Sequence, residues 1–236
     1  MINGNRHRPT RAPVAQGWFN GALLAALLAA PVSRAQTNPP PSKWETEIKA
    51  FEAADKTNPP PNNAVLFVGS SSIRLWKTLE RDFSEFKVVN RGFGGSQIAD
   101  SVALAGRIIL PYRPRMILLY AGDNDLAAGK LPEEVFTDFK AFVEKVQMTL
   151  PKARIGFISI KPSPSRWKLA KNIKAANRLI EAFCQKDERL AYIDVFGPML
   201  GTDGQPRPEL FIEDRLHMNA AGYALWTELI KPRLRE

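Results

Sequence analysis

The chain contains the three residue types that nucleophilic catalysis by serine requires. It has two histidines, His7 and His217, and Asp214 lies three residues before the second. Serine is a poor nucleophile at neutral pH and needs an adjacent base, usually a histidine that a carboxylate orients. The serine run 70–72 is therefore a candidate nucleophile region, with His217 as the base and Asp214 as the orienting acid.

The serine run also has a structural interpretation. Gly69-Ser70-Ser71-Ser72 follows an apolar segment and precedes Ile73, where a helical pattern begins. Serines in this position commonly cap helices. A hydroxyl there would also be exposed beside a helix N-terminus, which favours developing negative charge by about 0.3–1 kcal/mol. The residues alone leave both roles open for all three serines.

Hydrogen-bond donors that could bind an oxyanion follow three of the apolar segments, including the segment that precedes the serine run. Segment 91–96 is rich in glycine, which lets backbone N–H groups approach a ligand closely, and Asn124 offers a neutral amide between two acids. The available donors are the backbone N–H groups of Ser71 and Gly95 and the side chain of Asn124. Removing one such donor from a hydrolase lowers its rate about 100- to 1000-fold.

Other kinds of site are disfavoured by the same residues. Segment 91–96 lacks the Gly-Lys-Ser/Thr of a phosphate-binding loop. Segment 123–125 is similar to the start of a calcium loop, but Ala128 occupies the position that requires glycine. The single cysteine, Cys184, excludes an intramolecular disulfide and a cysteine-based zinc site, and its helical apolar surroundings indicate packing. We expect no metal and no organic cofactor.

Short apolar segments alternate with longer segments of helical period along the chain. The predicted strands are Val65–Val68, Lys87–Asn90, Met116–Tyr120, Ile155–Ile160 and Ala191–Val195. The predicted helices between and after them are Ile73–Leu79, Gln97–Ile109, Glu133–Leu150, Trp167–Lys186 and Ala220–Ile230. This alternation predicts an α/β fold, a three-layer α/β/α sandwich around a five-stranded parallel sheet. Ligands of such sheets bind at the carboxyl ends of the strands, where the candidate residues lie.

The first 35 residues have the layout of an export signal. Three arginines precede an uncharged apolar run at 22–32, and Ser33-Arg34-Ala35 places small residues at the cleavage positions. The run is shorter than the roughly 20 residues that cross a bilayer, which argues against stable membrane insertion. An uncleaved anchor and an internal apolar helix stay open as alternatives. We therefore expect an exported protein, periplasmic or secreted.

Three segments follow from this division of the chain. Residues 1–35 are the signal peptide, 36–63 a proline-rich linker with a short helix at Trp44–Lys56, and 64–236 a single catalytic domain. Cleavage after Ala35 removes four arginines and lowers the formal charge from +9 to +5. The remaining cations are scattered, so no nucleic-acid partner is indicated, and the oligomeric state is not predicted.

Four sequence blocks together resemble the SGNH hydrolases, also called GDSL esterases or lipases. In family order they are Phe67-Val68-Gly69-Ser70-Ser71-Ser72, Asn90-Arg91-Gly92-Phe93-Gly94-Gly95, Gly122-Asp123-Asn124-Asp125 and Asp214-Arg215-Leu216-His217. The similarity is greatest to platelet-activating-factor acetylhydrolase-like and lysophospholipase-like members. The resemblance implies a flavodoxin-like fold, a Ser71–His217–Asp214 triad and an oxyanion hole of Ser71, Gly95 and Asn124. One departure is Ser70, where the family usually has aspartate; we interpret it as a subfamily variant, and a lower activity or a different loop arrangement stays open.

The expected activity is hydrolysis of short acyl esters, such as acetyl groups on a small molecule or a carbohydrate. Arg91, Lys161 and Trp167 are candidate substrate-binding residues, because they follow strand ends and could hold a polar group or a sugar ring. Their alternative role is in turns and solvated charges. Three other functions stay open: a lysophospholipase-type lipid esterase, an acyltransferase with the same site, and a non-catalytic carbohydrate-binding relative.

Overall fold

A computed structural model describes residues 43–235. The predicted signal peptide, including His7, and most of the proline-rich linker lie outside the described residues. Five strands form one sheet in which every neighbouring pair is parallel, in the order β2-β1-β3-β4-β5. The strands are β1 Val65–Gly69, β2 Val88–Gly92, β3 Met116–Tyr120, β4 Arg154–Ile158 and β5 Leu190–Ile193. The predicted five-stranded parallel sheet is confirmed.

Helices cover both faces of this sheet. The α-helices are α1 Glu45–Thr57, α2 Ser71–Arg74, α3 Leu79–Asp82, α4 Ile98–Ile108, α5 Asp123–Ala127, α6 Pro132–Thr149, α7 Ala170–Cys184 and α8 Ala220–Ile230. Short 3-10 helices lie at Leu110–Tyr112, Pro164–Leu169, Pro208–Leu210 and Lys231–Leu234. Within residues 43–235, no helix combines the length and the apolar character needed to span a membrane.

Alternate residues of each strand enter two different cores. In β1, Leu66 and Val68 pack with the buried faces of α1, α4, α6 and α7, whereas Val65 and Phe67 pack with α2, α3 and α8. Successive side chains of a strand point to opposite faces, so a strand that is apolar throughout must be covered on both. The predicted three-layer sandwich is therefore confirmed.

The predicted helix Ile73–Leu79 is wrong in detail, because the chain forms two short helices, α2 and α3, with a turn between them. The carboxylate of Asp82 accepts hydrogen bonds from the Trp76 ring at 2.8 Å and from the Thr78 hydroxyl at 2.5 Å. These side-chain bonds join the turn at 76–78 to α3. The buried Ile73, Trp76 and Leu79 share helical spacing, which explains the prediction.

Several other predicted boundaries differ. The helix expected from Trp167 begins as α-helix at Ala170, after the 3-10 turn Pro164–Leu169, in which Arg166 departs from helical geometry. The predicted fourth and fifth strands each end two residues earlier than expected. These differences lengthen the loops at the carboxyl edge of the sheet, where polar residues collect.

Helix α1 packs on the domain although the predicted domain boundary at 64 excludes it. Arg107 of α4 binds two of its acids, with Nη1 at 2.7 Å from Glu45 and Nε at 2.6 Å from Glu52. Trp44, just before α1, is 8% exposed and joins the core with Ile48. The compact unit that the structure describes therefore includes this helix.

Candidate active site

The turn after β1 holds the serine run in a tight backbone path. Gly69 has φ 129°, and a Cβ there would lie 1.9 Å from the carbonyl oxygen of Tyr120 in β3. Only glycine tolerates both the positive φ and this close approach. The turn leads directly into α2, which places Ser71 at the carboxyl end of the strand and at the N-terminus of the helix.

Only one serine of the run is accessible. Ser71 is partly exposed, whereas Ser70 and Ser72 are 0% and 1% exposed. The Ser70 hydroxyl has no hydrogen-bond partner among the described residues, and the Ser72 hydroxyl accepts a bond from the buried Lys161. Access therefore favours Ser71 as the candidate nucleophile over its two neighbours.

The loop before α8 forms a turn around an acid. One oxygen of Asp214 accepts the backbone N–H groups of Leu216 and His217, both at 2.9 Å. Arg215 adopts a left-handed conformation with φ 57°, which bends the chain back so that the His217 ring donates from Nδ1 to the other Asp214 oxygen at 2.5 Å. A non-glycine residue at positive φ is uncommon and often marks a functional site.

Hydrogen bonding keeps the Asp214 carboxylate ionised. Burial by itself would raise the pKa of this carboxyl, but the backbone N–H and ring of His217 and the N–H of Leu216 lower the pKa to about 2. The side chain is 42% exposed, so solvent screens much of this electrostatic effect. Asp214 therefore stays an acceptor through the neutral range and holds the ring with its second nitrogen free.

That second nitrogen meets the serine run from the far end of the chain. The Oγ of Ser71 lies 2.9 Å from Nε2 of His217, across 146 positions of sequence. This separation lies within the range expected between a nucleophile and its base. The structure thus brings together the three residues that sequence analysis selected.

The glycine turn after β2 and the Asn124 amide after β3 line the same cleft. Gly95 has φ 69° and is exposed, and it lines one cleft with Ser71, Asn124 and His217. The Asn124 amide donates one hydrogen to the carbonyl of Ser96 at 3.0 Å. An amide nitrogen carries two hydrogens, so one donor remains. The three residues that supply the predicted oxyanion donors therefore line one cleft.

The cleft around these residues has a volume of about 510 Å³, and polar and apolar surface line it about equally. Its remaining lining residues are Lys43, Trp44, Glu47, Arg74, Gly94, Arg166 and Leu216. Three of these side chains are cationic and one is anionic, so the cleft has a positive balance of charge. Sequence analysis did not select any of them.

One wall of the cleft comes from the start of α1. The Trp44 ring donates from Nε1 to the carbonyl of Gly94 at 2.7 Å and meets Phe93 edge-on at 5.4 Å between ring centroids. Glu47 accepts the N–H of Gly94 at 3.3 Å. Both peptide groups of Gly94 are thus held from α1, which fixes the turn that ends in Gly95. No sequence motif signals this contact, because Trp44 stands in a proline-rich region far from the blocks.

The three candidate substrate-binding residues lie elsewhere, and these predictions are corrected. Arg91 is tied to the carboxylate of Asp55 and donates to the Tyr112 hydroxyl at 2.9 Å, under α1. Lys161 is 1% exposed beneath the site. Trp167 stacks on Phe196, with 6.4 Å between ring centroids, and does not line the cleft. Arg91 lies within β2 and not after it, whereas Lys161 and Trp167 follow β4, and each of the three side chains has its partner outside the cleft.

Lys161 is the centre of a buried polar cluster under the serine turn. Its ammonium donates to the hydroxyls of Tyr120 at 3.0 Å and Ser72 at 3.2 Å, and lies 3.4 Å from the Asp123 carboxylate. Burial lowers the pKa of Lys161, and the nearby Asp123 opposes that shift. The pKa of Asp123 is lowered, because Lys161 and Arg166 together outweigh the effect of desolvation. The cluster thus keeps an ion pair below the cleft.

Groups suited to metal or thiol chemistry are not found near the cleft. Within residues 43–235, no cluster of three or more histidine, cysteine, aspartate or glutamate side chains could hold a metal ion. Cys184 is buried in the core, and burial raises the pKa of its thiol to about 12. It is therefore a packing residue, as its helical pattern predicted.

Comparison with known proteins gives a single family. Residues 67–225 match the GDSL-like Lipase/Acylhydrolase family. No curated protein matches the chain. The matched region includes Ser71, Gly95, Asn124, Asp214 and His217.

Solved structures share the fold at low sequence identity. A Streptococcus pneumonia protein, provisionally assigned as a platelet activating factor, is 21% identical over 80% of this chain and 92% of its own, with TM-score 0.71. A GDSL-like lipase from Bacteroides thetaiotaomicron is 19% identical over 80% and 97%, with TM-score 0.68. A carbohydrate esterase family 3 protein from Talaromyces cellulolyticus is 17% identical over 72% and 95%, with TM-score 0.58.

Proposed function

The chain belongs to the GDSL-like lipase/acylhydrolase family and is an ester-bond hydrolase, and from this we propose that it acts through Ser71, His217 and Asp214 on short acyl esters. The observation that carries the proposal is the continuous hydrogen-bonded path from the Ser71 hydroxyl through the His217 ring to the Asp214 carboxylate. A serine, a base and an orienting acid in that order form the nucleophilic arrangement of serine hydrolases.

The reaction begins when His217 takes the proton of Ser71 through Nε2. The Ser71 oxygen attacks the ester carbonyl and forms a tetrahedral intermediate, while Asp214 stabilises the imidazolium and holds its tautomer. His217 then gives the proton to the leaving alcohol, and an acyl group remains on Ser71. In the second half, His217 takes a proton from water, which attacks the acyl group and frees the carboxylic acid and the serine.

Three donors stabilise the negative charge of the intermediate in this proposal. They are the backbone N–H groups of Ser71 and Gly95 and the free amide hydrogen of Asn124. The N-terminus of α2 contributes little besides the Ser71 N–H, because α2 is only four residues long. Donors that are already in place cost no reorganisation as the charge develops.

A fluorophosphonate probe tests the nucleophile. We expect it to label the wild-type protein and the Ser70→Ala variant equally, and to leave Ser71→Ala unlabelled, with peptide mass spectrometry placing the label on Ser71. Ser70→Ala is the matched control because its buried hydroxyl has no partner among the described residues, so its loss should leave the fold unchanged. Labelling of Ser71→Ala, or no labelling of the wild type, would contradict the proposal and favour a non-catalytic role.

The cleft supports a short acyl group over a long one. Its lining combines glycines, the candidate catalytic residues and charged side chains, and Trp44 and Leu216 are the only large apolar side chains among its lining residues. The carbohydrate esterase among the structural neighbours is compatible with this choice. An acyl chain gains binding energy only where each added methylene is removed from water.

A series of p-nitrophenyl esters measures the acyl preference. We expect kcat/KM to be highest between about two and four acyl carbons and to fall beyond them, because an open cleft with two large apolar side chains gives further methylenes little surface to contact. Each ester is also measured with Ser71→Ala to subtract background hydrolysis. A maximum at eight carbons or more would overturn the short-acyl part of the proposal and favour a lipid esterase.

A further inference from the structure

Arg166 joins the buried ion pair to the amide at the cleft. Its Nη2 donates to the Oδ1 of Asn124 at 3.0 Å, and its Nη1 lies 3.0 Å from the Asp123 carboxylate. The side chain is 20% exposed and lines the cleft. One guanidinium group thus bridges an acid below the site and the amide that faces it.

The contact determines which end of the Asn124 amide is the oxygen. An arginine has only donors, so the atom that it contacts must be the acceptor, and the amide nitrogen must then point away from Arg166. The bond from Nδ2 to the Ser96 carbonyl agrees with this orientation. Arg166 and Ser96 therefore hold the amide at both ends, with one hydrogen of Nδ2 left over.

The charge of Arg166 adds to this orienting effect. A cationic donor on the amide oxygen draws electron density from the amide, and linked hydrogen bonds strengthen one another in a low-dielectric site. The remaining N–H of Asn124 becomes a stronger donor as a result. Asp123 keeps the guanidinium in place, and Asp123 is itself held by the buried Lys161.

We propose that Arg166 is a positioning residue for the reaction, acting through Asn124 to aim and strengthen its oxyanion donor. The inference rests on the proposed function, since it needs Asn124 to contact the intermediate. It does not need Arg166 to contact the substrate. The distinguishing consequence is that Arg166 matters only while Asn124 is present.

A double-mutant cycle tests this dependence. We expect Arg166→Ala to lower kcat for p-nitrophenyl acetate about 10- to 100-fold with KM within about twofold, less than the loss from removing a whole oxyanion donor. In an Asn124→Ala background, the same change should lower kcat by less than about threefold, because residues that act through one another are not additive. Added guanidinium should restore part of the rate to Arg166→Ala and none to the double variant.

Two further variants serve as controls for the double-mutant cycle. Arg178→Ala, an exposed arginine on α7, is the matched control and should keep wild-type kcat. If Arg166→Ala does not fold by circular dichroism, Arg166→Lys replaces it, since a lysine keeps the charge near Asp123 but lacks the planar fork that reaches both partners. A loss of kcat with Arg166→Lys supports the inference in that case, and an unchanged kcat overturns it.

Other outcomes also overturn the inference. Additive losses in the cycle, or a large rise of KM without loss of kcat, would make Arg166 a direct substrate contact. An unchanged kcat in folded Arg166→Ala would leave it a structural ion-pair partner. These results are distinct from failure of the proposed function, which full turnover in Ser71→Ala would show regardless of Arg166.

Discussion

Ser71→Ala should lower kcat for p-nitrophenyl acetate at least about 1000-fold, because it removes the atom that attacks the ester. His217→Ala should lower kcat by a similar factor, because the hydroxyl of Ser71 then has no base at 2.9 Å to take its proton. Steady-state kinetics on purified proteins, with enzyme in large amounts for the variants, measure both losses.

The double variant sharpens this first prediction. If the two residues act as one unit, Ser71→Ala combined with His217→Ala should be about as slow as either single variant. Ser70→Ala serves as the control and should keep wild-type turnover, since the buried Ser70 hydroxyl has no partner among residues 43–235. Wild-type-like turnover in both Ser71→Ala and His217→Ala would end the proposal of serine catalysis.

Asn124→Ala should lower kcat about 100- to 1000-fold, equivalent to about 2.7–4 kcal/mol of transition-state stabilisation. The amide contributes a donor that the Ser71 and Gly95 backbone groups cannot replace. KM should change little, because the donor acts where charge develops and not on the resting ester. The measurement is the same ester assay, with kcat and KM resolved separately.

Asn62→Ala is a suitable control for this second prediction, since Asn62 is an exposed residue in the turn before β1. The control should keep both kinetic constants. A raised KM with unchanged kcat in Asn124→Ala would mean that the amide binds the ester equally well before and during reaction. Asn124 would then lie outside the oxyanion site.

Much of the fold and of the candidate site could be predicted from the sequence, because local sequence patterns determine them. Strands that are apolar along their whole length, such as Val65–Gly69 and Met116–Tyr120, are apolar because both faces of a parallel sheet are covered. Parallel strands bring their carboxyl ends to one edge, so residues that follow them in sequence meet in space. That is why Ser71, Gly95 and Asn124 could be chosen together.

The side chains that surround the candidate site could not be predicted from the sequence, because long-range contacts determine their orientation. Lys161 and Arg166 both follow β4, yet one is buried beneath Ser72 and the other lines the cleft. Their spacing from the strand does not distinguish the two orientations. The partners that do are Tyr120, the last residue of the adjacent β3, and Asp123, the first residue of α5. Which cation turns inward therefore depends on packing across the sheet.

The departure at Ser70 has a related explanation. Its hydroxyl makes no hydrogen bond within the described part of the chain, so it does not link the neighbouring loops. A carboxylate is nevertheless present beneath the site, supplied by Asp123 at the start of α5 and held by Lys161 and Arg166. The buried acid therefore follows β3 in the chain, and not β1 as the family's usual aspartate does.

The hydrogen bond from the Trp44 ring to the Gly94 carbonyl affects how sequence variants and truncated forms of this protein are interpreted. A fragment cut at residue 67, where the family match starts, would retain all of the proposed catalytic side chains and lose the indole that holds the oxyanion turn. Substitutions at 44 and 47 lie outside the family match, although both side chains hold the peptide groups of Gly94 in the cleft. The stretch of chain that builds the proposed site is therefore longer than the stretch that the four sequence blocks span.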